Sequence, residues 1–104
     1  MDLDNIKQEI KDYLKLQGFF TFHITAGLGS FLGLPDRIAI KNGEVLFIEI
    51  KTPTGKQSEY QVEFQKNIES NGCVYLLAHS LDEVINYCEQ NKLCREVNQG
   101  SLFS

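Results

Sequence analysis

Residues 34–55 read LPDRIAIKNGEVLFIEIKTPTG, two apolar segments joined by Asn42-Gly43. An Asn-Gly pair between apolar segments is the strongest short-range signal for a β-hairpin, because both turn residues tolerate positive φ angles. The stretch therefore predicts two antiparallel strands. It also carries three charged residues that need an explanation, because burying an unpaired carboxylate is costly. They are Asp36, Glu49 and Lys51.

The hairpin brings these three charged residues to one place. In the strand from Glu44 to Lys51, alternation puts Glu49 and Lys51 on the same face, together with Val45 and Phe47. A turn at Asn42-Gly43 pairs residues whose numbers add up to about 85, so Asp36 faces Glu49. Two carboxylates this close repel each other and need a shared proton or a cation.

This arrangement predicts a site for a divalent metal ion. Mg²⁺ prefers oxygen ligands and retains several waters, which two carboxylates and the backbone carbonyl of Ile50 would satisfy. Lys51 then lies where it can position a metal-bound water and offset charge on a phosphate. The alternative is an ordinary Glu49–Lys51 ion pair at a solvated strand end, with Asp36 as a turn residue after Pro35.

The rest of the chain predicts helices and strands around this hairpin. Apolar residues at helical spacing predict a first helix between an Asp4 N-cap and Gly18. The segment FFTFHIT predicts a strand through Thr25, and the glycines of AGLGSFLGLP predict a loop. Ser58 and Ser80 each open a capping-box pattern, and the short apolar strand CVYLLA lies between the two helices. The order α-β-β-β-α-β-α predicts an α/β fold, a mixed sheet flanked by helices.

Composition limits both the architecture and the function. A chain of 104 residues with 42% hydrophobic content predicts one domain, over residues 1–90, and a tail, 91–104, of uncertain structure. The net charge of −4 argues against a protein that coats nucleic acid through bulk positive charge, but not against an enzyme whose carboxylates bind cations. No segment has the pattern of a signal peptide or a membrane span, so we expect a soluble cytoplasmic protein with no membrane partner.

The cysteines and histidines indicate no further site. Cys73, Cys88 and Cys94 are odd in number and lack a C-x-x-C pair, so we interpret them as buried or idle thiols in a reducing compartment. His23 lies in an aromatic strand and His79 just before a helix. We favour ordinary structural or surface roles for both histidines over metal ligation.

The charged residues also resemble a known motif. Pro35-Asp36 and Glu49-Ile50-Lys51, separated by a strand-turn-strand, resemble the PD-(D/E)XK nuclease motif. The surrounding GLPDRIAI and LFIEIKTPTGKQS, with Gln61 and Gln65, are similar to the VRR-NUC family in particular, from the first helix to about Ile85. The resemblance implies a restriction-endonuclease-like core and metal-dependent hydrolysis of DNA phosphodiester bonds, with Mg²⁺ or Mn²⁺. It further implies branched DNA such as flaps or Holliday junctions, a homodimer, and a phage or bacterial genome as the source.

The same resemblance assigns roles to individual residues. Asp36 and Glu49 resemble the metal-binding acids, Lys51 the catalytic lysine, and Gln65 the glutamine that reaches toward the active site. A solvent-facing position is the alternative for Gln65. Further candidates for contacts to DNA are Ser30, Lys56 and Gln61.

The first helix departs from the family pattern. Many members carry an acidic residue or a glutamine on its inner face, where this chain has Leu3 and Lys7, with Asp4 and Glu9 nearby. A further acidic ligand, and with it a second tightly held metal, is therefore not expected.

Two other functions remain open at this point. One is a catalytically idle module that keeps the nuclease core in order to bind DNA or a partner protein. The other is a hydrolase of some other phosphoester. The intact set of Asp36, Glu49 and Lys51 counts against the idle module, because stability does not require these residues.

Overall fold

The computed structural model describes residues 2–95, which form three helices and one four-stranded sheet. The elements follow the predicted order along the chain. They are α1 (Leu3–Leu16), β1 (Phe20–His23), β2 (Arg37–Lys41), β3 (Glu44–Ile50), α2 (Glu59–Ser70), β4 (Val74–Ala78) and α3 (Leu81–Gln90).

The sheet is mixed, as the sequence predicts. Its strand order is β1-β2-β3-β4, with antiparallel pairing through β3 and parallel pairing between β3 and β4. Asn42 and Gly43 have φ angles of 53° and 80°, the positive values that a tight two-residue hairpin needs. Arg37 pairs with Ile48 and Lys41 with Glu44, which is the predicted register.

Helices cover the two faces of the sheet unequally. Helices α1 and α3 enclose the main core on one face, where Leu46, Ile48 and Ile50 of β3 are buried. Helix α2 packs on the opposite face through Phe64, whose ring lies 6.0 Å from that of Phe47. None of the α2 residues is fully buried, so this second layer is the thinner one.

Three local features differ from the prediction. The N-cap of α1 is Asp2, whose side chain accepts a bond of 2.9 Å from the Asn5 amide, and Asp4 lies in the first turn. Strand β1 ends at His23 instead of Thr25, because its partner β2 begins only at Arg37. The predicted Ser80 capping box would have Glu83 bond to the amide of the N-cap residue itself. The Glu83 carboxylate accepts a hydrogen bond from the amide of His79, one residue before the N-cap.

The ends of the chain can be described in part. Leu93, in the predicted tail, is buried in the core, and residues 96–104 lie outside the described part. Among the described residues, every helix is too short or too polar to cross a membrane.

The glycine-rich loop, residues 26–35, is held against the first turn of α2. Gly33 has a φ of +81°, and a Cβ placed there would overlap the Tyr60 carbonyl and lie 2.7 Å from the Gln61 amide nitrogen. Gly29, in the same loop, has a φ of +82°, but no other part of residues 2–95 lies within 4 Å of a Cβ placed there. Substitution at Gly29 therefore measures the cost of the backbone conformation alone. Substitution at Gly33 adds the cost of the steric overlap.

We expect Gly33→Ala to destabilise the protein far more than Gly29→Ala. Both variants force alanine into the left-handed region, which costs about 1–2 kcal/mol. Only Gly33→Ala also creates a backbone overlap, for which overpacking adds roughly 1–3 kcal/mol. Urea unfolding measures both losses, and equal values for the two variants would show that the loop does not rest on α2.

Candidate active site

The candidate site lies where the C-terminal end of β3 meets the start of β2 and the first turn of α2. Asp36 immediately precedes β2, and Glu49 is the second-last residue of β3. Because Arg37 pairs with Ile48, Asp36 lies opposite Glu49, and Lys51 follows directly beyond the strand. The structure thus brings the three charged residues of the hairpin together.

The backbone fixes the carboxylate of Asp36. Its Oδ2 accepts a hydrogen bond of 2.6 Å from the amide of Ile50, which ties the start of β2 to the end of β3. Its Oδ1 lies 3.2 Å from Nζ of Lys7 on α1. Pro35 is buried just before it. One carboxylate oxygen is therefore oriented by the fold itself, and the other faces the partly exposed ammonium group of Lys7.

Glu49 is the most deeply placed charge of the site, with only 3% of the residue exposed. Its Oε2 lies 3.1 Å from Nζ of Lys51 and accepts a bond of 3.0 Å from Nε2 of Gln61. Its Oε1 is buried and has no hydrogen-bond partner among residues 2–95. A buried oxygen without a partner is costly, and its lone pairs remain available to a ligand such as a cation.

The charges around Glu49 disfavour its ionised form. Burial raises the pKa of the Glu49 carboxyl, the negative charge of Asp36 raises this pKa further, and Lys51 only partly opposes the shift. A cation between the two carboxylates would remove the repulsion and replace the lost hydration. The neighbouring lysines therefore compensate the carboxylates incompletely.

The donor set fits a hard divalent cation. Within the described chain, no group of three or more His, Cys, Asp or Glu side chains is positioned to hold a metal. Asp36 and Glu49 provide carboxylate oxygens only, and a metal held there would take its other ligands from backbone carbonyls and water. That is the coordination that Mg²⁺ usually has in proteins. Oε1 of Glu49, which has no hydrogen-bond partner among residues 2–95, fits such a ligand.

Comparison with solved structures gives the fold a name. No protein-family model and no curated protein matches the sequence. A solved structure described as a VRR_NUC domain superimposes with a TM-score of 0.75 at 18% identity, covering 84% of this chain and 94% of its own. A second, described as a VRR_NUC domain protein, gives 0.74 at 24% identity, covering 89% and 90%. The chain has the VRR-NUC fold. The fold implied by the sequence motifs is thereby confirmed.

The two glutamines of α2 lie differently in this VRR-NUC fold. Gln61 donates to Glu49, and its Oε1 accepts a bond of 2.9 Å from the amide of Ser58, completing the capping box. Gln65 accepts from Gln57 at 2.9 Å and donates to Glu69 at 3.3 Å. The described contacts therefore bring Gln61 to Glu49 and do not bring Gln65 there. The capping box of Ser58 and Gln61 was the sequence signal that could have placed Gln61 in the first turn of α2.

The other predicted DNA contacts lie around this centre. Ser30 is in the glycine-rich loop, where its Oγ accepts a bond of 2.7 Å from the Gly27 amide. Lys56 is exposed in the connection between β3 and α2. Their roles stay predictions.

Sequence reasoning missed two basic residues of this region. Lys7 was noted only as a departure from the family pattern, but it pairs with Asp36. Arg37 is buried on the core face and donates to Oγ1 of Thr21 at 3.0 Å. Burial lowers the pKa of Arg37, and Asp36 opposes that change. A buried arginine is unusual enough that no periodicity rule would have placed it inside.

Proposed function

We propose that this protein is a metal-dependent endonuclease that hydrolyses DNA phosphodiester bonds, with a preference for branched DNA. The observation that carries the proposal is the meeting of Asp36, Glu49 and Lys51 at one end of a VRR-NUC fold, where Oε1 of Glu49 has no partner among residues 2–95. Mg²⁺ or Mn²⁺ would be held by Asp36, Glu49 and the carbonyl of Ile50. When bound, the ion supplies an activated water and neutralises charge on the phosphate.

The side chains of the site divide the remaining work. The Ile50 amide keeps Asp36 in place, and Gln61 keeps Glu49 in place, so both carboxylates are oriented before substrate arrives. Lys51 is the one ammonium that follows β3 directly, and in this proposal it positions the attacking water and offsets charge that develops on the phosphate. With a net charge of −4, the protein depends on such local positive charge to accept DNA.

An idle binding module explains these features less well. A buried, incompletely compensated Glu49 lowers stability, and an apolar residue could fill its place in the sheet. A carboxylate at this position is explained if it binds the metal ion. Metal-dependent nicking of plasmid DNA, abolished by EDTA, tests the proposal against the idle module.

Gln61→Ala is expected to reduce DNA cleavage more than Gln65→Ala. Gln61 orients Glu49, and loss of such an outer-shell partner typically costs about 10- to 100-fold in metal affinity or activity. Gln65 bonds only to Gln57 and Glu69 among the described contacts, so its variant serves as the matched control on the same helix. Cleavage rates measured over a range of Mg²⁺ concentrations up to saturation decide between them. A larger loss for Gln65→Ala would assign the catalytic glutamine to that position instead.

A homodimer is part of this proposal, and the exposed end of the α2 face offers a surface for it. Phe20 and Phe22 on the edge strand β1 are 67% and 40% exposed, with ring centroids 5.4 Å apart. Exposed apolar side chains that lie together indicate an interaction surface. Two-fold pairing would present two sites to a junction that has approximate two-fold symmetry. The terminal SLFS, a second apolar segment that could serve as a dimer contact, lies outside the described residues.

We expect light scattering at micromolar concentration to give about twice the monomer mass of 11.8 kDa. The double variant Phe20→Ser, Phe22→Ser should give the monomer mass, because serine removes most of the exposed apolar surface. Leu16→Ser is the control, since Leu16 is 65% exposed at the end of α1. A monomer mass for the unmodified protein, with and without junction DNA, would overturn the dimer.

A further inference from the structure

A cavity of about 350 Å³ opens beside the candidate active site, between the glycine-rich loop and the first turn of α2. Asp36 and Gln61 line it, so the cavity is continuous with the carboxylate site. Its other walls include Ser30, Phe31 and Tyr60. A nucleotide whose phosphate lies at Asp36 would therefore have this cavity within its reach.

The rim of the cavity is apolar although it faces solvent. Tyr60 is 59% exposed, and Phe31 and Leu32 are exposed to a similar degree. A cluster of large exposed apolar side chains on a single loop and helix start marks a binding surface. Neither the main core nor the exposed β1 surface includes these residues.

The cavity is held in shape by contacts behind it. Gly33 lies directly on the Tyr60 backbone, and the ring of Phe31 packs edge-on against Phe64 at 5.8 Å. These contacts fix the loop against α2, while the Tyr60 side chain stays largely exposed. A preformed cavity of this kind reduces the ordering cost of binding.

The chemistry of the cavity matches an unstacked nucleobase. Aromatic side chains beside a phosphate-binding centre stack bases that have left the helix, and base edges need nearby polar groups. Tyr60 supplies the ring, and the side chains of Ser30 and Gln61 supply polar atoms. A base inside an intact duplex cannot enter such a cavity, because its two faces are covered by its neighbours.

We propose that this cavity holds one unstacked base next to the scissile phosphate, with Tyr60 as the stacking residue. The assignment rests on the proposed nuclease function and gives a physical origin for branched-DNA selection. DNA in which that base is unpaired or weakly paired, as at a branch point, loses little pairing and stacking free energy when the base unstacks. A continuous duplex loses more of this free energy and is cut more slowly.

The test removes either the base or the ring. Once the cut position is mapped on a branched DNA, substrates are made with an abasic nucleotide at each position flanking the cut. We expect one abasic position to slow the unmodified protein by roughly 5- to 150-fold, the range for base–aromatic stacking. Tyr60→Ala should slow cleavage of the intact substrate similarly, and should be insensitive to that abasic position.

Two further variants control for structure. Tyr60→Phe keeps the ring and should keep the sensitivity to that abasic position, while Leu16→Ala, which removes an equally exposed apolar side chain at a distance, should cut as the unmodified protein does. If every abasic position affects the unmodified protein and Tyr60→Ala equally, the base site is overturned.

A binding measurement separates this proposal from the nuclease function. Fluorescence anisotropy compares the affinity of Lys51→Ala protein for intact branched DNA and for branched DNA with an abasic nucleotide placed in turn at each position around the branch point, in Mg²⁺ and without cleavage. A loss of affinity at one abasic position supports the base site if that loss disappears when Tyr60→Ala is added to Lys51→Ala. This holds even if the unmodified protein cuts nothing. An affinity that no abasic position changes, in protein that does cut, overturns the base site and leaves the nuclease function intact.

Discussion

Lys51→Ala is expected to lower the rate of DNA cleavage by about 10²–10⁴-fold, the usual contribution of one group that assists proton transfer. Lys51 is close to Glu49, with 3.1 Å between Nζ and Oε2, yet a fifth of its side chain remains exposed. It can therefore reach a phosphate without leaving the site. Single-turnover cleavage at saturating Mg²⁺ measures the loss directly.

Folding and metal binding should survive this change. The ammonium lies at the end of the strand and not in the core, and its removal takes away a charge that competes with a bound cation. We expect the melting temperature in Mg²⁺ to be nearly unchanged and the Mg²⁺ affinity to be equal or higher. Lys66→Ala, on the exposed surface of α2, is the matched control and should cut normally. Near-normal turnover of Lys51→Ala would remove Lys51 from the reaction.

Asp36→Asn and Glu49→Gln are expected to abolish cleavage by loss of the metal. Each change removes one of the two carboxylates that meet at the hairpin end, and the described chain offers no third acidic residue there. We expect the Mg²⁺ or Mn²⁺ affinity to fall by more than the roughly 10- to 100-fold that an outer-shell change costs. Calorimetric titration measures this affinity. Glu44→Gln, at the far end of β3, is the control, and unchanged affinity in both site variants would exclude Asp36 and Glu49 as ligands.

Without metal, Glu49→Gln should be more stable than the unmodified protein at pH 7. Burial and Asp36 raise the pKa of Glu49 above its ordinary value of 4.5, so the unfolded chain ionises this group at lower pH than the folded chain does. Stability is therefore lost as the pH rises through these two pKa values. The advantage of Glu49→Gln should shrink as the pH is lowered toward 4.5, and an advantage that grows on acidification would contradict the assignment.

The hairpin explains why so much of this fold follows from the sequence. Asn42-Gly43 fixes the turn, the turn fixes the register, and the register places Asp36 opposite Glu49. Each step is local and depends on few residues. The Ser58 cap was equally readable, because both of its reciprocal hydrogen bonds are formed within one helical turn.

The parts that the sequence did not predict depend on contacts between distant elements. Lys7 of α1 reaches Asp36, and Gln61 of α2 reaches Glu49, only after the helices have packed on opposite faces of the sheet. The position of the first N-cap was misjudged by two residues, because both Asp2 and Asp4 suit that role and only Asp2 bonds to the Asn5 amide. The close approach of Gly33 to Tyr60 leaves no pattern in the sequence.

One cleavage assay tests most directly whether Asp36, Glu49 and Lys51 form a metal-dependent DNA-cleaving site. Labelled linear, flap and four-way-junction DNA are incubated with the protein in Mg²⁺, in Mn²⁺ and in EDTA, beside Lys51→Ala protein. We predict cleavage in both metals, fastest on branched DNA, none in EDTA, and a loss of about 10²–10⁴-fold with Lys51→Ala. Uncut DNA under every condition, or equal cleavage by the variant, would contradict the account.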